Sequence, residues 1–261
     1  METLNMSNVT PTKACIYHIF YDDATREEND KGFLPLDNLS NVRPDWREYW
    51  PIRNFLLGQT LDENTFYGFF SPKFHEKTTL DSATVYEFIA SVGTNADVIT
   101  FSPFFDQGAV FLNTFEQAAR FHPGIEPVFD SLLALVAPGV NQHTLLMDSC
   151  RSIFCNYFVA VPAFWRRWFT ICEMLFSAAE AGGTLLADQL NMPVYYENDV
   201  MSSKVFVIER MASLLLAIEP NWRTRNFDPV RLPLSNPSLN VLTNFFLKCD
   251  SLKRSAISTG N

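Results

Sequence analysis

Short apolar runs of β-forming residues alternate along this chain with segments whose apolar residues recur at helical spacing. That alternation restricts the fold more than any composition figure does. Residues 14–21 (ACIYHIFY) read as a strand that opens into a polar loop at Asp22 and Asp23. Segment 45–57 (DWREYWPIRNFLL) has helical spacing, with Pro51 required either at the helix start or at a kink. A second strand follows at 65–70 (TFYGFF), then a helix over 81–91 that Asp81 or Thr79 caps, then a third strand over 96–102 that Pro103 stops. Further helices are predicted over 113–121, 125–136 and 163–181, the last ended by Gly182 and Gly183. The run 205–217 is apolar on nearly every side and reads as one buried helix. After Pro220 the chain is rich in Pro and Asn and reads as a wrapping extension. Residues 1–12 and 252–261 are expected to be flexible.

A chain of 261 residues at 47% hydrophobic content can bury a substantial core, and its length fits one α/β domain spanning 1–261 better than two small ones. The longest apolar stretches are broken by Arg, Glu or Pro short of a membrane span, and Met1–Thr12 is polar, so a cytoplasmic location is expected. Five cysteines at 15, 150, 155, 172 and 249 lack short paired spacing, which suits buried thiols rather than disulfides or zinc. Net charge is −9 with Lys and Arg spread along the chain, so no nucleic-acid footprint is visible and a polyanionic ligand would need a local basic pocket. With 24 Phe, 5 Trp and 8 Tyr, the core uses aromatics where others use Leu, and a few of these rings are available to stack on a ligand in a cleft.

Ligands of open α/β sheets collect at the carboxyl ends of strands, so the polar residues just past each strand are the candidates. Ser71 and Lys73 follow the second strand; Lys73 either faces a diphosphate as a point charge or stands solvated in a loop. Asp37 and Asn38, with Arg43, Asp45, Arg47 and Arg53 behind them, gather hydrogen-bonding and cationic groups, although Asp37–Asn38 also suits a plain turn. Asp106 and Gln107 lie within one turn of the third strand. Glu209 and Arg210 interrupt the apolar run 205–216, where an unpaired charge is costly to bury. They are either a structural ion pair or the floor of a cleft, with Glu209 as base on a hydroxyl and Arg210 toward a phosphate.

Other chemistries find less support. No Asp-x-Asp occurs; Glu28–Asp30 and Glu197–Asp199 are the nearest patterns, and only the second follows a predicted strand, 194–196. The histidines at 18, 75, 122 and 143 have no short metal spacing, and neither a Gly-x-Ser-x-Gly elbow nor a phosphate-cradling glycine loop is present. Cys150 and Cys155 read as inert thiols rather than partners of His143, and His122 as a residue packed at a helix end. The helix carrying Trp165, Arg166, Arg167 and Trp168 packs its tryptophans in the core or lies on a membrane surface.

With these residues in view, the chain resembles nucleotide-sugar-dependent glycosyltransferases of GT-A fold from bacterial capsule and O-antigen assembly. The resemblance runs over residues 14–217 through Tyr67–Phe70, Ala96–Phe101, His122 to Glu126, Asn156 to Trp165 and Phe206 to Arg210. It implies one Rossmann-like α/β/α domain with a central mixed sheet, whose first half holds the nucleotide and whose second half holds the acceptor. It implies transfer of a sugar from a nucleoside-diphosphate sugar to a glycan or lipid-linked acceptor, at the cytoplasm or at the inner membrane surface. Glu209 and Asp106 are then the candidate bases, and Asp37, Asn38, Arg53, Ser71, Lys73 and Arg210 the candidate donor- or phosphate-binding residues. Asp148, Asn156, Tyr157 and Trp165 are the candidates for acceptor or sugar binding. Without an Asp-x-Asp no metal ligand is assigned, and Mn²⁺ or Mg²⁺ stays open as a cofactor. The alternative is an inactive fold of this type kept as a glycan-binding or scaffold module.

Overall fold

The computed structural model describes residues 13–196 and 199–260. β1 (Lys13–Phe20) leads through α1 (Asp23–Glu28) to β2 (Leu34–Asp37), and α2 (Tyr49–Gly58) leads to β3 (Thr65–Phe70). α3 (Phe74–Thr78) and α4 (Ser82–Val92) precede β4 (Val98–Thr100), after which α5 (Phe105–Val110), α6 (Thr114–Phe121) and α7 (Glu126–Val136) follow in succession. β5 (Phe158–Ala160) feeds the long helix α8 (Pro162–Ala181), then come α9 (Leu185–Leu190) and the antiparallel pair β6 (Pro193–Tyr196) and β7 (Asp199–Ser202). α10 (Ser203–Ile208), α11 (Met211–Ile218), β8 (Thr224–Asn226) and α12 (Thr243–Thr259) complete it.

The class is α/β, with a six-stranded mixed sheet in the order β2-β1-β3-β5-β4-β8. β5 runs antiparallel to both of its neighbours, while β1, β2 and β3 pair in parallel, as do β4 and β8. Side-chain alternation sorts each strand between two apolar layers. Ile16, Phe66, Phe70, Ile99 and Val159 pack on one side with Phe74, Val85 and Ile89 of α3 and α4. Ile19, Tyr67, Phe69, Phe158 and Ala160 pack on the other with α2, α8 and α11. Gly68 has a packing reason: a Cβ there would meet Val159 Cγ2 at 2.7 Å across the β3–β5 pair.

Several local readings hold. Asp81 caps α4 by accepting from Thr84 N at 2.8 Å, Pro51 sits in the first turn of α2, and Gly182 ends α8 at a φ of 66°, while Asn113, expected as the first helical residue, is instead the cap of α6. The single helix expected over 205–217 is instead two. It breaks at Glu209 and Arg210, because the guanidinium turns back to donate to the Phe206 carbonyl at 2.6 Å and caps the end of α10. Residues 252–259, expected to be flexible, form the end of α12; residues 1–12 lie outside the described residues.

What anchors α12 is Lys253, a buried ammonium that donates to the carbonyls of Gly108 (2.7 Å), Phe111 and Met147 (3.1 Å). Lys253→Met removes the charge and orphans three carbonyls, so a loss of about 3 kcal/mol is expected, read from the urea midpoint.

Candidate functional site

The chain reaches β2 on one side of β1 and β3 on the other, so the connections diverge above the carboxyl ends of β1 and β3. A crevice opens at such a switch point. Here it is a cleft of about 950 Å³, walled by Tyr21 past β1, Asn38 past β2, Pro72 and Lys73 past β3, Phe104 past β4 and Glu209 at the α10–α11 break. A smaller recess shares Lys77, Cys155 and Glu209 with the cleft and adds Ser71 and Asn156.

Three features mark the recess. Glu209, in the middle of the break, keeps 35% of its side chain exposed, and its carboxylate stands 3.7 Å from Arg210 Nη1. Partial loss of water around the half-buried Glu209 carboxyl pushes it above the usual carboxylate range, against the pull of Arg210 and Lys77. Lys77 Nζ donates to Cys155 Sγ at 3.3 Å, and burial raises that thiol to about 11 against the pull of the lysine. Cys155 and Asn156 both adopt left-handed backbone, with φ of 60° and 54°. Successive non-glycine residues in that region store strain, and strain of this kind concentrates at functional sites. Asn156 is also buried with no hydrogen-bond partner for its Oδ1.

Arg210 is held from three sides. Nε donates to the Thr114 carbonyl at 2.9 Å, Nη1 to the Phe206 carbonyl and Nη2 to Gln117 Oε1 at 2.8 Å, while Gln117 in turn donates to Gln107 at 2.7 Å. It therefore fixes the cleft floor more than it reaches into the cleft. His122 lies beside it, its ring 3.9 Å from that of Phe206. Burial, helped by Arg210, lowers the His122 pKa to about 4. The unfolded imidazole protonates first as pH falls, so stability is present above about 6.5 and is lost on the way down to about 4. About 3 kcal/mol should disappear over that window, and His122→Gln should flatten the loss in urea titrations at pH 7 and below.

Of the residues singled out from sequence, the fold brings Asn38, Ser71, Lys73, Asn156, Glu209 and Arg210 to the cleft or its recess. Asp37 is instead a turn residue that accepts from Leu39 N at 2.8 Å. Asp106 is buried and takes Ser235 N at 2.9 Å together with the Ser235 hydroxyl, so its carboxylate is occupied stapling the segment before α12. Arg53 forms a two-pronged bond to Glu173 at 2.7 and 2.9 Å between α2 and α8, away from the cleft walls. Asp148 pairs with Arg151 at 3.1 Å in the loop before β5. Tyr157 is buried, with its hydroxyl 2.7 Å from Ser71 Oγ, and acts behind the recess rather than in it. Trp165 is 1% exposed and donates to the Tyr67 carbonyl at 2.9 Å, which removes it from any sugar contact. Trp168 is buried too, so both tryptophans pack in the core, while Arg166 pairs with Glu63 and Arg167 with Glu219 at the surface.

Lys77 and Cys155 were not singled out as site residues. Lys77 follows Lys73 by four positions, the spacing that puts two side chains on one helical face. The left-handed turn at Cys155 has no comparable signal, since Cys has no preference for that conformation.

The donor set does not fit a divalent ion. Among the described residues no three His, Cys, Asp or Glu side chains cluster at metal-binding spacing. Glu197 lies outside them, and Asp199 is bonded to Arg47. No described helix is long and apolar enough to cross a membrane. Compared with protein-family models, curated proteins and solved structures, the chain matches none.

Proposed function

We propose that this chain is a nucleotide-sugar-dependent glycosyltransferase of GT-A type that passes a sugar to a glycan or lipid-linked acceptor. The observation that carries the reading is the recess. A carboxylate of raised pKa, a lysine and a strained Cys155–Asn156 turn with an unpartnered amide oxygen meet at the switch point of an α/β sheet. A cleft of this volume accommodates a nucleotide sugar, and mixed polar and aromatic walls suit one.

In this reading the acceptor hydroxyl oxygen forms a bond to the anomeric carbon as the bond from that carbon to the diphosphate oxygen breaks. Glu209 receives the hydroxyl proton, and the nucleoside diphosphate departs with the electron pair. Lys73 at the rim and Lys77 one turn on offset the charge that develops on the leaving group. Ser71, held by the Tyr157 hydroxyl, and Asn156 orient the sugar.

A thermal-shift screen against nucleoside-diphosphate sugars, each with Mn²⁺ and with EDTA, tests the reading. A donor at 100 times its dissociation constant adds about 2.7 kcal/mol. Stabilisation by one donor in EDTA supports it and names the donor; silence across the panel moves the protein to a binding or scaffold role.

A further inference from the structure

Two side-chain amides link the buried Arg210 to the wall of the cleft, and the arginine sets their direction. A guanidinium only donates, so Gln117 must turn its Oε1 to Arg210 Nη2, at 2.8 Å, and its Nε2 the other way. That Nε2 donates at 2.7 Å to Gln107 Oε1, which orients the second amide in the same sense. Gln107 lines the cleft, and its Nε2 has no partner among the described residues. A ligand at this wall therefore meets N–H donors, with the amide oxygen engaged behind them.

The donors stand among aromatic rings. Phe104, just past β4, is a half-buried residue of the cleft wall, with the Phe154 ring centroid 6.2 Å away. Phe121 also lines the cleft; it follows Gln117 by four positions on α6, on the same helical face, and is 51% exposed. Phe104 holds left-handed backbone at a φ of 64°, which is costly for a residue with a Cβ. It is kept there by its N–H, which donates to the Pro233 carbonyl at 3.0 Å, and by its carbonyl, which accepts from Gln107 N at 3.0 Å. One turn thus fixes the ring and the amide together, and neither takes part in the chemistry proposed for the recess.

We infer that this end of the cleft binds a nucleobase through an oxo group, as in uracil or guanine, at the edge where cytosine or adenine carries an amine. The base lies against Phe104 while the Gln107 amide donates to its oxygen. An amine at the same edge brings N–H against N–H and leaves donors on both sides unpaired. The inference rests on the nucleotide-sugar reading of the cleft and adds to it the class of base that the donor carries.

Calorimetric titration of the full chain with UDP, CDP, GDP and ADP tests it, because each pair of equal ring size differs at that edge. Within the ring size that the cleft takes, the oxo base is expected to bind about tenfold tighter than its amino counterpart. Gln107→Glu keeps an acceptor for Gln117 and turns a second acceptor to the cleft, so the preference should invert; Gln107→Leu should abolish it. Each result is a ratio within one variant, which a general loss of stability or of phosphate affinity does not move. Equal binding of oxo and amino bases, or a preference that either variant retains, overturns the inference and leaves the transferase reading standing. An oxo preference that the variants lose, without transfer from any nucleoside-diphosphate sugar, upholds the base site and sinks the transferase reading. Binding of none of the four overturns both.

Discussion

Glu209→Gln is expected to lower nucleoside-diphosphate release to about 10⁻² to 10⁻⁴ of the starting rate, the range a positioned general base supplies. The substitution keeps the size of the side chain and the 3.7 Å approach of Arg210, so the fold should persist. Stability should move the other way from activity. Burial raises the folded pKa of Glu209 above the unfolded value, so the folded state binds the proton more tightly and loses stability as pH rises through the folded pKa. Wherever the carboxylate is ionised it is thus a cost, and there the Gln variant should melt at the same temperature or higher. That difference should shrink in acid, where the carboxyl is protonated in both states. Loss of activity with a lowered melting temperature at pH 7 would instead make Glu209 a structural residue. The same pKa implies that wild-type turnover falls on the acid side at a pH above that of an ordinary glutamate.

Arg210→Met is expected to cost about 3–5 kcal/mol, the penalty for deleting one partner from a buried charged set. Three acceptors lose their donor at once: the Thr114 carbonyl at the start of α6, the Phe206 carbonyl near the end of α10 and Gln117 Oε1. Because the bonds to Thr114 and Gln117 join the α10–α11 break to α6, the cleft floor should loosen with them. Arg210→Lys keeps the charge but, as a compact point donor, cannot span all three positions, so most of the loss should remain. Urea midpoints of the two variants against the parent give the measurement. A Lys variant as stable as the parent would show that charge, rather than the forked geometry, is what the site uses.

These two neighbours show how far the residues speak for themselves. Two charges in an apolar run must find partners whatever the fold, and this much is visible at positions 209 and 210 without coordinates. Continuous helical hydrophobicity, however, predicts one helix, and nothing local announces that Arg210 will bend back to cap its own preceding turn. Trp165 makes the complementary point. Its place beside two arginines reads equally as an interface or a core, and only the layer of β3 and β5 beneath it decides for the core. Asp106 follows a strand end as a catalytic base would, but its two oxygens are taken by Ser235, 129 positions away.

What the amino-acid order settled alone were the features governed by near neighbours. These include the strand Thr65–Phe70, the cap at Asp81, the tolerated Pro51 and the glycine stop after α8, each set by backbone preference within a turn or two. It also settled the α/β class, because period-two and period-3.6 segments alternate. The three-residue strands β4, β5 and β8 gain their meaning only from pairing, and the antiparallel insertion of β5 between β3 and β4 brings Cys155 and Asn156 to the mouth of β3. The recess of Ser71, Lys77, Asn156 and Glu209 joins residues up to 138 positions apart, and the chain's local preferences hold no record of a contact that long. The tertiary structure decided it, through the crossover pattern that places those loops over one crevice.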